Sequence, residues 1–215
     1  MKKFIVAFLV ILSLFPAVQA QDKKVNFGLQ AGYSYNMPKE TTAAINLNGF
    51  HAGPIISYNI NETLGIQTGL LYNYFSKKSV LDSESIKATG TWRQNNTNAQ
   101  YLDLPLRFQY SISLADDFYI RLLAGPNFNY GLKKQFFFER YADNKLISGY
   151  PELKIDYYNN NPNYSRFDLQ FGIGVAVQYY GFSIRAGYDW GLLDRDKTTN
   201  SFKANDIKLG IAYTF

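Results

Sequence analysis

The chain has 215 residues with a single histidine and no cysteine, which excludes disulfide scaffolds, cysteine-ligated metals and thiol catalysis and argues against multi-histidine metal sites. Aromatics stand out, with 18 Tyr, 17 Phe and 2 Trp beside 16 Gly; Tyr and Phe favour pleated surfaces and Gly favours turns, so many short strands are expected. The net charge of +5 loses two with Lys2 and Lys3 of the leading segment, and so small a remainder points away from a nucleic-acid partner.

In chain order, Lys2 and Lys3 open an apolar run from Phe4 to Phe15, broken by Pro16 and followed by Val18-Gln19-Ala20. That is the pattern of a cleaved secretory signal peptide over residues 1–20, with one mature domain over 21–215. The run is shorter than the ~20 residues a membrane-spanning helix needs, and no later stretch is longer. If the chain spans a membrane, it does so with strands.

From Val25 to Asn36 apolar and polar residues alternate with a period of two: Val25, Phe27, Leu29, Ala31, Tyr33 and Tyr35 against Asn26, Gly28, Gln30, Gly32, Ser34 and Asn36. Strands are also expected near 49–60, 64–75, 100–111 and 118–130, although Ile55 and Leu71 fall on the polar parity. The alternation returns over 166–179, 182–190 and 207–215. Eight strands of about ten residues each match the length of a tilted membrane-crossing strand. Short turns at Asn61-Glu62, Ala115-Asp116 and Tyr180-Gly181 alternate with longer links near 37–47, 76–99, 131–163 and 191–203. This is the arrangement of an all-β, eight-stranded antiparallel transmembrane barrel of up-and-down topology, with turns in the periplasm and loops outside.

Alternation alone also permits the inverse, a soluble lipocalin-like carrier with its oily face inward. Volume argues against it, because the interior of an eight-stranded barrel is filled by side chains or one small ligand. The many large apolar residues do not fit there, whereas the Gly, Ala, Ser, Asn and Gln set does. Aromatics also gather at both strand ends. Tyr33, Tyr35, Tyr72, Tyr74, Phe128, Tyr130, Tyr188 and Trp190 lie toward the loops, and Tyr58, Tyr110, Phe118, Tyr179, Phe182 and Tyr213 toward the turns. Such girdles mark two membrane interfaces, where outer-membrane lipids are the partner.

Four segments carry a resemblance to a known family: Ile66-Gln67-Thr68-Gly69-Leu70-Leu71-Tyr72, Tyr101-Leu102-Asp103-Leu104-Pro105-Leu106, Ala124-Gly125-Pro126-Asn127-Phe128 and Leu209-Gly210-Ile211-Ala212-Tyr213-Thr214-Phe215. Over nearly all of 22–215 the chain resembles the PorT-like outer-membrane β-barrel family of Gram-negative bacteria. The resemblance implies the fold, an outer-membrane location and an accessory role in protein secretion. Tyr213 and Phe215 are similar to the signal by which barrels are handed to the barrel-insertion machinery.

The inward parity contains Asp103, Arg107, Arg121, Arg166, Asp168, Arg185, Asp189, Asp206 and Lys208. Buried charges need partners, so a lumen filled by a paired charge network is expected rather than a pore; porins need about sixteen strands. If the two middle strands pair about Leu114, Arg107 faces Arg121, and Asp103 or another carboxylate is expected between them. His51 points inward near Ser34. A Ser–His pair makes a lipid- or peptide-hydrolysing rim enzyme the alternative function, but a triad also needs an orienting acid, and none is visible.

In the longest link, Phe136, Phe137, Phe138, Arg140 and Tyr141 set exposed rings beside a cation, the composition of a partner- or glycan-binding surface. The alternative is that the flanking strands continue past the membrane and pack these rings together. Taken together, the residues indicate a small closed barrel with a structural or interaction role in the envelope, without enzyme activity, cofactor or metal, and with an envelope protein as the partner of its loops.

Overall fold

A computed structural model of the chain describes residues 24–40, 45–80, 91–142, 145–147, 153–197 and 202–215; the expected signal peptide lies outside them. The strands are β1 (Val25–Glu40), β2 (Leu47–Asn59), β3 (Leu64–Gly69), β4 (Leu71–Val80), β5 (Thr91–Ala115), β6 (Phe118–Ala142), β7 (Lys145–Leu146), β8 (Leu153–Asp156), β9 (Phe167–Tyr179), β10 (Phe182–Gly191) and β11 (Phe202–Thr214). One short helix, α1 (Tyr157–Asn160), follows β8, capped by the Asp156 side chain accepting from the Tyr158 N–H at 3.2 Å.

Every pairing is antiparallel, and β1 pairs with β11 as well as β2, so the sheet closes on itself. β3 and β4 together make one stave, so the ring has eight members. The break at Leu70 has a local cause. Leu70 lies opposite Pro54 of β2 and donates to its carbonyl at 3.0 Å, while the proline has no N–H to return.

The facing of the alternation is plain. Leu29, Ile56, Leu106, Phe108, Leu122, Ile173, Val175, Ile184, Leu209 and Ile211 lie on the outside, Phe108 and Ile184 being 65% and 69% exposed. Inside lie Ser34, His51, Gln67, Asn73, Asp103, Gln109, Asn127, Asp168, Gln170, Asp189 and Asp206, all buried. An apolar exterior around a polar interior is the reverse of a soluble carrier. Tyr33, Phe50, Tyr130, Phe167 and Trp190 ring the loop side of the outer face, and Tyr58, Tyr110, Tyr179, Phe182 and Tyr213 the turn side. Ile55 and Leu71, the apolar residues on the polar parity, point inward as that parity requires and form an apolar spot with Ala212.

The structure departs from the sequence expectation in two places. The links expected at 76–99 and 131–163 are largely strand, because β5 and β6 run 25 residues each, far beyond the ~10 a membrane crossing requires. The β5–β6 turn is Asp116–Asp117, not Ala115-Asp116, with Asp117 at φ 58°. Aspartate tolerates this left-handed conformation better than most residues. The register shift beside Ser113 also moves the pairing, so that Arg121 lies opposite Ser111. The expected Arg107–Arg121 apposition is therefore corrected.

Candidate functional site

The middle of the lumen holds an ion-pair lattice drawn from three strands. Asp189 of β10 accepts from Arg107 of β5 and from Lys208 of β11, the latter at 3.0 Å; Lys208 also donates to Asp103. Arg107 donates further to the Gly125 carbonyl, and Asn129 to Asp103 at 2.6 Å. Gly172 makes the space for this lattice: a Cβ there would meet the Asp189 carboxylate and both terminal nitrogens of Arg107. The carboxylate that neutralises Arg107 is thus Asp189, while Asp103 serves Lys208.

Toward the turns the lattice gives way to a directed chain of hydrogen bonds. Arg185 donates to Gln30 Oε1 at 2.7 Å and Gln67 Oε1 at 2.8 Å. This turns the Gln30 amide nitrogen toward His51 Nε2, 3.1 Å away, and His51 Nδ1 lies 2.8 Å from Ser34 Oγ. With Nε2 accepting, a neutral imidazole carries its proton on Nδ1 and donates to the serine. The lone pair that a general base would turn on a hydroxyl is taken by Gln30. The third partner is an amide instead of a carboxylate, and Ser34 and His51 are buried. The pair is not arranged as nucleophile, base and orienting acid. Beside it is a cavity of about 80 Å³, bounded by Gln30, His51, Gln67, Arg107, Arg185 and Lys208 among others, room for a few waters.

At the loop end a cation–aromatic cap lies over the lumen. The Lys134 ammonium is 4.2 Å from the Phe202 ring centroid, 4.7 Å from Tyr157 and 4.9 Å from Tyr164. The Arg195 guanidinium lies over Tyr101 and Tyr164 at 5.1 and 5.3 Å and donates to the Tyr158 hydroxyl at 2.8 Å. Burial pushes the Tyr158 phenol up from its ordinary value and the Tyr164 phenol well above it, with Arg195 opposing. Both rings are therefore neutral at physiological pH. Gly131 opens the seat of this cap, since a Cβ there would fall on the Tyr158 hydroxyl and touch Arg195.

Of the residues singled out in the sequence, Asp103, Arg107, Asp189 and Lys208 come together. Arg185 is inward but bonded to glutamines, and Arg121 is inward over the Tyr119 ring at 5.9 Å without an ion pair among the described residues. Arg166 is not in the lumen: it caps the Gly131 and Leu132 carbonyls and stacks on Tyr158 at 4.5 Å. Asp168 is fully buried, yet neither of its carboxylate oxygens meets a side-chain donor among the described residues; the adjacent Leu169 N–H is its backbone neighbour. Tyr213 and Phe215 face outward on the turn side, their rings 5.2 Å apart.

In the loop extension Phe136 packs on Tyr157 at 5.6 Å and the Tyr141 hydroxyl donates to Glu139 at 3.0 Å. Phe137 and Arg140 are half-buried, and the Phe138 side chain lies outside the described residues. The sequence pattern did not single out Arg195, because Asp194-Arg195-Asp196 carries no periodicity.

Three comparisons bear on this architecture. The family model described as outer membrane protein beta-barrel domain matches residues 19–196. Among solved structures the chain is similar to Ail, the attachment invasion locus protein of Yersinia pestis, crystallised with the heparin analogue sucrose octasulfate. The identity is 16% and the TM-score 0.52, over 89% of this chain and 99% of that one. It is also similar to a major outer membrane protein from Thermus thermophilus, at 15% identity and TM-score 0.47 over 89% and 99% of the two chains. A third is OprG from Pseudomonas aeruginosa, at 11% and 0.44 over 90% and 97%. At 16% identity the likeness to Ail bears on the fold alone. No curated protein matches the sequence.

Proposed function

The chain belongs to the family of the outer membrane protein beta-barrel domain and is a small barrel of the outer membrane, and on that premise we propose that it is an interaction protein of the envelope whose working surface is the extension beyond the membrane. The observation that carries this is the division of the molecule into a filled lumen and a built platform. The ion-pair lattice and its hydrogen-bonded neighbours fill the middle of the lumen, which favours a plug over a path for solutes. β5 and β6 instead continue outward, flanked by β4 along Gln94–Asn98 and by β8 along Gln135–Phe138, and fastened by Lys134 to the rings of Tyr157, Tyr164 and Phe202. The cap stiffens the base of this extension.

The partner is an envelope protein that meets Phe137, Arg140 and Tyr141, an aromatic and cationic set of the kind that dominates interface energetics. The narrower reading, an accessory of protein secretion, rests on the PorT-like resemblance. The turn-side pair Tyr213 and Phe215 is the proposed address for the barrel-insertion machinery. The test is purification of a tagged copy from native outer membranes in mild detergent, with mass spectrometry of what co-elutes. A stoichiometric partner lost on Phe137→Ser, Arg140→Ser and Tyr141→Ser exchange is the expected result. A barrel that elutes alone refutes the protein-partner reading and turns attention to glycans.

A further inference from the structure

Across β5, β6 and β9 the inward residues Asp103, Asn129 and Asp168 stand directly opposite one another. All three are buried, Asp168 completely. Asn129 donates its amide to Asp103 at 2.6 Å, and its own oxygen finds no donor. Two residues along β6, the fully buried Asn127 donates to Gln170 Oε1 at 2.7 Å, and its oxygen too is without a donor. Both carboxylate oxygens of Asp168 likewise lack a side-chain donor, the adjacent Leu169 N–H being their backbone neighbour.

Rotating the amides does not cure this. A flipped Asn129 would turn its oxygen on the Asp103 carboxylate, and a flipped Asn127 would turn its oxygen on Gln170 Oε1. Side chains opposite one another on adjacent strands have Cβ atoms about 5 Å apart, and diagonal ones about 7–8 Å, so these four oxygens share one small neighbourhood. Buried acceptors without donors are rare, and each is costly.

The cations around these oxygens are engaged elsewhere. Asp206 is held by amides alone, Asn36 at 2.6 Å and Gln170 at 2.8 Å. Arg107 and Lys208 are committed to Asp189 and Asp103. Arg195 faces this region from the cap, but its guanidinium donates to the Tyr158 hydroxyl and to the Ser165 and Arg166 carbonyls. Arg185 and Arg121, also inward, respectively bond to glutamines and lie over the Tyr119 ring, so among the described residues none of the lumen's cations donates a hydrogen bond to Asp168.

We propose that Asp168, Asn127 and Asn129 form an oxygen-lined binding site for a hard cation of the calcium or sodium type, seated in the loop-end half of the lumen beneath the Arg195–tyrosine cap. The donor set gives the class. It offers carboxylate and carboxamide oxygens without nitrogen or sulfur, the donors of a hard cation; among the described residues no three His, Cys, Asp or Glu side chains converge to hold a metal ion, so the protein's ligands here are one carboxylate and two amides. Irregular sets of neutral and charged oxygens suit calcium, which accepts about 6–8 ligands, better than magnesium with its near-octahedral demand. Waters complete the shell. The site is independent of the partner surface, so failure of either leaves the other standing.

The experiment uses the full barrel folded in detergent after chelation and dialysis. Terbium serves as the luminescent stand-in for calcium, excited through the tyrosines of the cap, and metal content and unfolding temperature are measured with calcium, sodium or chelator alone. The expected results are one tightly held ion per chain, a rise in unfolding temperature with that ion and a tyrosine-sensitised terbium signal, all lost in Asp168→Asn. A response to sodium but not calcium assigns the monovalent ion. No ion and no shift in the wild-type protein overturns the proposal and makes Asp168 a neutral acid donating to Asn129. A calcium shift that persists in Asp168→Asn overturns it equally, by placing the ion elsewhere. If that variant does not fold, the metal content and terbium signal of the wild-type barrel decide.

Discussion

Asp189 sits at the centre of the lumen's electrostatics, because it alone joins Arg107 to Lys208. Asp189→Asn keeps the shape of the side chain and removes its charge. Lys208 then retains Asp103, but Arg107 is left with the Gly125 carbonyl and no anion. The side chains of Asp189 and Arg107 are only 5% and 13% exposed, so solvent screening relieves little of the loss. Removing one partner of a buried pair costs about 3–5 kcal/mol. The asparagine still accepts one hydrogen bond, which places the expected loss near the low end, about 3 kcal/mol.

Arg107→Met added to this variant removes the stranded cation and leaves Lys208–Asp103 balanced. The double variant should therefore recover a large part of the loss, with a coupling of about 2 kcal/mol. Equilibrium urea unfolding of the barrel folded in micelles, followed by tryptophan fluorescence, measures all four corners of the cycle. An Asp189→Asn barrel within about 0.5 kcal/mol of wild type, or a double variant whose losses simply add, would refute the view that the lattice holds the lumen by charge pairing.

Asp103→Asn, which weakens the Lys208 and Asn129 bonds, should cost about 2 kcal/mol in the same unfolding assay; an unchanged stability would remove Asp103 from the lattice. Lys134→Met keeps the volume of the side chain but drops its attraction to three rings, worth about 2 kcal/mol when desolvated. Proteolysis of the extension should quicken while the barrel core stays protected, and equal cleavage rates would contradict the cap. The phenols of Tyr158 and Tyr164 have folded pKa values above the ordinary ~10, so as pH rises past ~10 the unfolded chain sheds these protons first and stability falls. That contribution is complete below pH ~10, and the alkaline loss should be shallower in Tyr158→Phe/Tyr164→Phe; an identical pH slope would refute it. Purified protein in planar bilayers should show no steady conductance, and ohmic channels would overturn the filled lumen.

The eight-membered ring was legible because period-two alternation follows directly from the pleat, and residues such as Phe167 to Tyr179 display it without interruption. Facing was legible from volume: Phe108 and Ile184 have nowhere to go but out. Pairings across the lumen were not, because they depend on register, and register was lost at single residues. Symmetry about Leu114 placed Arg107 against Arg121, whereas the turn at Asp116–Asp117 and the register shift beside Ser113 set Arg121 against Ser111. Arg166 followed the parity of β9 but sits just before its first residue, Phe167, where it caps carbonyls. The extent of β5 and β6 was obscured because Asn95, Asn96, Thr97 and Asn98 have the composition of a loop and are held as strand by their neighbours on β4 and β6. Arg195 and Lys134 owe their roles to rings brought from distant segments, and local sequence carries no trace of that.

The bonds that fill the lumen join residues far apart along the chain. Asn36 reaches Asp206 across 170 positions, Gln30 reaches Arg185 across 155, and Asp103 reaches Lys208 across 105. A hairpin or half-ring inserted early would therefore carry carboxylates and guanidinium groups whose counterparts had not yet arrived, in an environment that punishes bare charge. Partial assemblies are disfavoured for a reason separate from their unpaired edges. Assembly is driven toward a single late event, the meeting of β1 with β11, in which the ring closes and its charges are neutralised together. Proteins whose contacts are dominated by distant pairs fold slowly, and here the polar interior adds a second reason for the ring to close late.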